Sequence, residues 1–136
     1  MKKEFLRDAI KFNSIKDIIY NSVKLYPGHI AFVTKIIKNK TVEYKNTTYK
    51  KLLDEINALG TALYGLGLKG KRIAICGRNR YEWALAHLSC LLGGMVSVPL
   101  DKELQVNELE DSLIRSKASS PQTTKVDTGT PTAPTL

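Results

Sequence analysis

The chain has 136 residues, 43% of them hydrophobic, which is enough for one modest domain with its own core. It carries 21 Lys and Arg against 13 Asp and Glu, a formal net charge of +8. No apolar run approaches the ~18 residues that span a bilayer, and the basic N-terminus lacks the apolar stretch of a signal peptide. These features argue against a membrane-spanning or secreted protein, and we expect a cytoplasmic one.

The net positive charge lies entirely in residues 1–51, which hold twelve Lys and Arg against four Asp and Glu. Such an excess could form a surface for nucleic acid or for anionic lipid. The lysines are scattered, however, and no compact basic cluster appears, which favours a solvated face. We therefore expect no nucleic-acid partner, and we keep peripheral membrane contact through this region as the alternative.

In chain order, residues 1–13 form an N-terminal lead, after which Ser14 is the predicted N-cap of a helix that runs to Tyr26. Residues 30–37 are rich in β-branched side chains, and residues 41–46 alternate between polar and apolar. The short polar segment between them is typical of a turn. These patterns predict a β-hairpin.

The second half of the pattern begins at Thr48, the predicted N-cap of a helix whose apolar stripe continues to Leu66. The remaining predicted elements are a buried strand at 71–76, a helix at 80–92, a strand from Met95 to Val98 and a helix at 108–117. Asn107 and Glu110 have the spacing of a capping box for the last helix.

Residues 71–98 therefore read as strand, helix and strand with short loops, a βαβ unit that implies parallel strands and a right-handed crossover. Gly93 and Gly94 supply the backbone freedom of the tight helix-to-strand turn, and a positive φ is expected there. Pro99 and Asp101 mark the strand end where open α/β sheets usually place ligands. The predicted fold class is α/β: a helix and a β-hairpin, followed by the βαβ unit.

Residues 120–136 are rich in Thr and Pro and nearly lack large apolar side chains, so we expect a disordered tail or a segment foreign to the fold. Cys76 and Cys90 lie in apolar segments without metal-ligand spacing, which indicates buried, reduced thiols.

Several short motifs contain residues that could carry chemistry. Gly65, Gly67 and Gly70 have dinucleotide-loop spacing, but they follow a helix and precede a strand, the reverse of a phosphate loop. Arg78, Asn79 and Arg80 do follow a strand and open a helix, and they could hold an anion, although an exposed turn is favoured. The single residues His29, His87 and Trp83 are interpreted as structural. No catalytic, cofactor-binding or metal-binding residue is assigned.

Three segments in order nevertheless resemble the N-terminal region of AMP-forming acyl-CoA synthetases, which belong to the adenylate-forming superfamily. Thr48-Tyr49-x-x-Leu52 is similar to an early core motif, with Lys51 where the family usually has Glu. Asn79-x-x-Glu82-Trp83 and the stretch from Leu91 to Asp101 match two further segments. The resemblance covers roughly residues 12–119 and is greatest to bacterial long-chain fatty acid–CoA ligases, so residues 14–119 are assigned to the synthetase domain.

This resemblance implies a truncated ATP-dependent acyl-CoA synthetase. The complete enzyme would convert a fatty acid, ATP and coenzyme A into acyl-CoA, AMP and pyrophosphate through an acyl-adenylate, with Mg²⁺ as a further cofactor. The family's phosphate loop, adenylate-holding segment, ribose-binding Asp and catalytic Lys do not occur in these residues. We expect no cofactor and no activity for this chain alone, and an exposed sheet edge that favours self-association. The alternative is a non-catalytic α/β binding or scaffold module.

Overall fold

The computed structural model describes residues 10–118 and contains four helices and four strands within that range. Most of the predicted lead, 1–13, and the predicted tail, 120–136, lie outside the described residues. In chain order the elements are α1 (Ile15–Leu25), β1 (Ile30–Lys38), β2 (Thr41–Thr48), α2 (Tyr49–Gly65), β3 (Arg72–Cys76), α3 (Tyr81–Leu92), β4 (Val96–Leu100) and α4 (Val106–Ser116). None of these helices combines the length and the apolar character needed to cross a bilayer.

Two of the predicted helix starts are confirmed by their hydrogen bonds. The hydroxyl of Ser14 accepts from the backbone N–H of Asp17 at 3.1 Å, and that of Thr48 accepts from Lys51 at 3.2 Å. Each bond satisfies one of the free N–H groups in a first helical turn. The predicted capping box of α4 was wrong by two residues, because the helix begins at Val106 and Glu108 accepts from the backbone N–H of Gln105.

Strands β1 and β2 form the predicted antiparallel hairpin, which we call the hairpin from here on. Lys38 pairs with Thr41, so the connecting turn contains only Asn39 and Lys40. Both residues have positive φ, 47° and 66°, as a type I′ turn requires. This turn matches the right-handed twist of the two strands.

Strands β3 and β4 pair in parallel through α3, which confirms the predicted βαβ unit. The register runs from Arg72 opposite Val96 to Cys76 opposite Leu100. Helix α2 packs beside α3, and the core fills the space between these helices and the two strands. Its buried members are Leu63, Leu68, Ile73, Ile75, Ala86, Cys90 and Met95, with Leu59 and Trp83 partly buried against them.

Helices α2 and α3 end by the same device. A glycine with positive φ, Gly67 or Gly94, follows each helix, and the next residue returns its N–H to a carbonyl five positions earlier. That next residue, Leu68 or Met95, is buried in the core. The positive φ predicted for the double glycine is thus correct for Gly94, at 73°, and wrong for Gly93, which has φ −83°.

Position 93 requires a glycine because there is no space for a side chain, and not because of its backbone angle. A Cβ at this position would lie 2.8 Å from the carbonyl oxygen of Ser89 and 2.5 Å from the terminal methyl of Met95. Real Cβ atoms do not approach a backbone oxygen so closely, so a side chain here would push α3 away from the turn. The two adjacent glycines are therefore needed for different reasons: Gly94 for its positive φ and Gly93 for the space that a Cβ would take.

Candidate functional site

An open trough of about 950 Å³ lies between the hairpin and the N-terminal end of α3. The hairpin supplies apolar Phe32 and Ile36 together with cationic Lys45, and α3 supplies Trp83. Asn79, Arg80 and Glu82 stand at the other side. Lys35 also lines it, so the trough combines an apolar wall with three cations and one acid, a composition suited to contacts with an amphipathic anion.

The start of α3 places two of the residues predicted from the sequence at this trough. Arg80 is the N-cap residue in extended conformation, but its side chain makes no capping hydrogen bond. Asn79 and Arg80 line the trough, whereas Arg78 does not, and all three side chains are exposed. The prediction of an exposed turn after β3 is therefore confirmed, and only Arg80 of the two arginines lines the trough.

Tyr81 ties the hairpin, α2 and α3 together beside this trough. Its hydroxyl donates to the Glu55 carboxylate at 2.6 Å, and its ring makes an edge-to-face contact with Phe32 at 5.2 Å between centroids. Burial, together with the bond to Glu55 and the negative charge of that carboxylate, raises the pKa of Tyr81 above its usual value. No local sequence pattern indicates this junction, since Glu55 and Tyr81 belong to separate helical patterns.

Polar groups at the C-terminal ends of β3 and β4, the expected location of a ligand, form hydrogen bonds with each other or with the adjacent turn. A carboxylate oxygen of Asp101 accepts from the backbone N–H of Glu103 at 3.0 Å, which fixes the turn after β4. The thiol of Cys76 lies 3.7 Å from the backbone oxygen of Asp101 and donates to it. The prediction that both cysteines are buried is confirmed for Cys90 and wrong for Cys76, which is partly exposed at the end of β3.

A second polar cluster was not found by sequence reasoning. The Nδ1 atom of His87 lies 2.7 Å from the hydroxyl of Ser97, and the imidazole stacks on the Trp83 ring at 5.1 Å between centroids. His87 faces β4 from α3, so the contact braces the helix against the strand. Residues ten positions apart in helix and strand share no local pattern, and only the crossover brings them together.

Metal-ligating side chains do not cluster in the part of the chain that the structure describes. No group of three His, Cys, Asp or Glu side chains converges within residues 10–118. The Asp101 carboxylate is engaged by its turn, and burial raises the pKa of the Cys90 thiol to about 11, so this cysteine stays protonated. We therefore derive no chemical step through ATP, Mg²⁺ or coenzyme A from these residues.

The arrangement of a hairpin, a helix and a βαβ unit also occurs in a solved structure. It superposes on the N-terminal subdomain of NpsA from Klebsiella oxytoca with a TM-score of 0.68 and 20% identity, covering 79% of this chain and 26% of that one. At this identity the similarity establishes the fold, and it confirms the predicted α/β class.

The sequence then places the chain in a family. Residues 19–131 match the family of AMP-binding enzymes, and the chain belongs to it. It is 30% identical to long chain acyl-CoA synthetase 5 of Arabidopsis thaliana over 105 residues, which cover 76% of this chain and 16% of that protein. It is 37% identical to fatty acyl-CoA synthetase A of Dictyostelium discoideum over 81 residues, 59% of this chain and 12% of that protein.

These matches confirm the resemblance to the N-terminal region of adenylate-forming acyl-CoA synthetases. The chain spans about one sixth of the length of the Arabidopsis relative. The family motifs that it carries have structural roles here: Thr48 caps α2, Leu52 is buried, and Gly94 closes the α3 turn.

Proposed function

We propose that this chain forms the N-terminal part of an ATP-dependent acyl-CoA synthetase that acts on fatty acids. The complete enzyme would join the fatty acid to AMP with release of pyrophosphate, and then transfer the acyl group to coenzyme A with release of AMP. The observation that carries the proposal is the family match over residues 19–131, together with relatives that are named as acyl-CoA synthetases.

Within such an enzyme, the residues described here would brace the domain that holds the reacting groups. Three features support this role: the capped start of α2, the glycine-ended helices and the buried apolar core of the βαβ unit. Each fixes a backbone position, and none presents a nucleophile or a phosphate ligand. A rigid scaffold of this kind positions catalytic groups that other segments supply.

We further propose that residues 1–136 alone form no acyl-adenylate. Adenylation develops negative charge on the α-phosphate and the leaving pyrophosphate, and positioned donors or a metal must stabilise it. The test incubates the purified chain with ATP, Mg²⁺ and a panel of fatty acids and measures pyrophosphate. We expect release at background level; release that depends on the fatty acid would overturn this part of the proposal.

A cytoplasmic location and a role in fatty acid metabolism belong to the same proposal. The two free cysteines, Cys76 and Cys90, are consistent with a reducing compartment. Reading the coding sequence past codon 119 separates the synthetase from the alternative, a non-catalytic binding module. A reading frame that encodes a Ser/Thr/Gly-rich loop ending in Lys supports the synthetase, and a stop codon after residue 136 with no such frame favours the module.

A further inference from the structure

One face of the hairpin packs against the rest of the described structure, and the side chains of the other face are exposed. Its inner face contacts the rest of the molecule through Phe32, which meets Tyr81, and through Thr47, which is almost completely buried. Residues directly opposite each other in the register share a face. The outer face therefore carries three cross-strand pairs, Val33–Asn46, Lys35–Tyr44 and Ile37–Val42.

This outer face is apolar and exposed. Ile37 is 67% exposed and Tyr44 65% exposed, and Val33 and Val42 are also exposed. Lys35 is the charged residue on this face, and no acid accompanies it. A contiguous apolar surface rimmed by polar groups marks an interaction site on a folded protein.

The charge around this face is positive. Residues 33–45 contain four lysines, Lys35, Lys38, Lys40 and Lys45, and one acid, Glu43. By their pairing with Ile36, Thr34 and Thr41, Glu43, Lys45 and Lys38 belong to the inner face, which leaves Lys35 and the turn residue Lys40 for the outer face and its tip. The two-residue turn places Lys40 at the tip of the hairpin, beside the apolar pair Ile37–Val42.

We propose that the outer face of the hairpin binds the surface of an anionic lipid bilayer. Aliphatic side chains enter the boundary between headgroups and acyl chains, a tyrosine suits the same depth, and lysines reach back to anionic headgroups. A protein partner fits this surface less well, since lysine is depleted at the centres of protein interfaces and Lys35 stands in the middle of this face. The strands lie flat in the hydrated interface, so their edge groups keep contact with water.

This surface does not depend on the chain's having a synthetase role, so its test can fail independently of the pyrophosphate assay. The experiment is co-sedimentation of the 1–136 chain with vesicles of phosphatidylcholine, and with vesicles of phosphatidylcholine mixed with phosphatidylserine. We expect binding to the mixed vesicles that weakens with added salt. Equal binding to both vesicle types, or none to either, overturns the proposal.

Variants locate the contact. Ile37→Glu should lower vesicle affinity at least tenfold, and each Lys→Gln change at Lys35 or Lys40 should lower it about fivefold. The matched controls are Ile114→Glu on α4, where the side chain is 74% exposed, and Lys71→Gln before β3. Both controls should bind like the parent, and circular dichroism should show every variant folded.

Other outcomes point to other occupants and refute a lipid contact. If Ile37→Glu and Ile114→Glu bind vesicles like the parent, the hairpin is not the contact. If the parent self-associates in analytical ultracentrifugation, Ile37→Glu is monomeric and neither binds vesicles, then the outer face pairs with a second copy.

Discussion

The hairpin and the βαβ unit are both built from two paired strands, yet they use burial in opposite ways. The βαβ unit has Ile75 with no exposed surface, and it contributes most of the buried core. The hairpin contributes a single buried residue, Thr47, and exposes most of its aliphatic side chains. The comparison indicates that the βαβ unit supplies the stability of the described region, while the hairpin is available for contact.

The largest expected effect is the loss of stability caused by a substitution in the core of the βαβ unit. Ile75→Ala truncates a fully buried β3 side chain of the core cluster, and should lower the free energy of unfolding by about 2–5 kcal/mol. Ile37→Ala, on the outer face of the hairpin, should change it by less than about 0.5 kcal/mol. Chemical denaturation of both variants measures the difference, and equal losses would show that the comparison is wrong.

The next largest effect is the destabilisation expected from substituting either of the two glycines that end α3. Gly94→Val forces a β-branched side chain to φ +73°, and Gly93→Val drives a Cβ against the Ser89 carbonyl oxygen. Each should destabilise the fold by about 1–3 kcal/mol. The control is Gly65→Ala at the end of α2, where a Cβ meets open space. Thermal melts in which both valine variants match the parent would contradict the turn described here.

A smaller effect concerns Tyr81, which joins the two regions. Tyr81→Phe removes the hydrogen bond to Glu55 and should lower stability by about 1 kcal/mol at neutral pH. The folded state raises the pKa of Tyr81, so it holds this proton more tightly than the unfolded chain does. The contribution is full below the unfolded pKa of about 10 and is lost as the pH rises above it.

Denaturation measured across alkaline pH checks this sign. The parent should lose stability more steeply than Tyr81→Phe above pH ~10. Tyr64→Phe is a suitable control, because Tyr64 is exposed at the end of α2. Parallel slopes for the parent and Tyr81→Phe would mean that Tyr81 does not couple the hairpin to the helices through its proton.

The smallest effect is a gain of stability in the hairpin. Lys40 has φ +66° in the type I′ turn, where glycine is preferred, so Lys40→Gly should stabilise the chain by about 0.5 kcal/mol. Lys38→Gly, one strand position before the turn, should instead destabilise it because Lys38 does not have positive φ. Melting curves of the two variants should move in opposite directions, and a common shift would contradict the turn assignment.

The sequence by itself determined the features that depend on near neighbours in the chain. The caps at Ser14 and Thr48 require only a hydroxyl and an N–H three residues later, so both could be predicted from the sequence without a structure. The βαβ order also follows from local apolar runs and short loops. The α4 start was misplaced because Asn107 with Glu110 and Gln105 with Glu108 have the same spacing, and the sequence does not rank them.

Only the tertiary structure decided which distant residues meet. Glu55 reaches Tyr81 because α2 packs beside α3, and Ser97 reaches His87 because the crossover lays α3 over β4. The role of Gly93 was equally hidden, since the clash that excludes a side chain involves Ser89 and Met95 after the turn has closed. Local patterns report backbone preferences within a few residues, whereas the trough and the bare face of the hairpin arise from packing between elements, which no local pattern encodes.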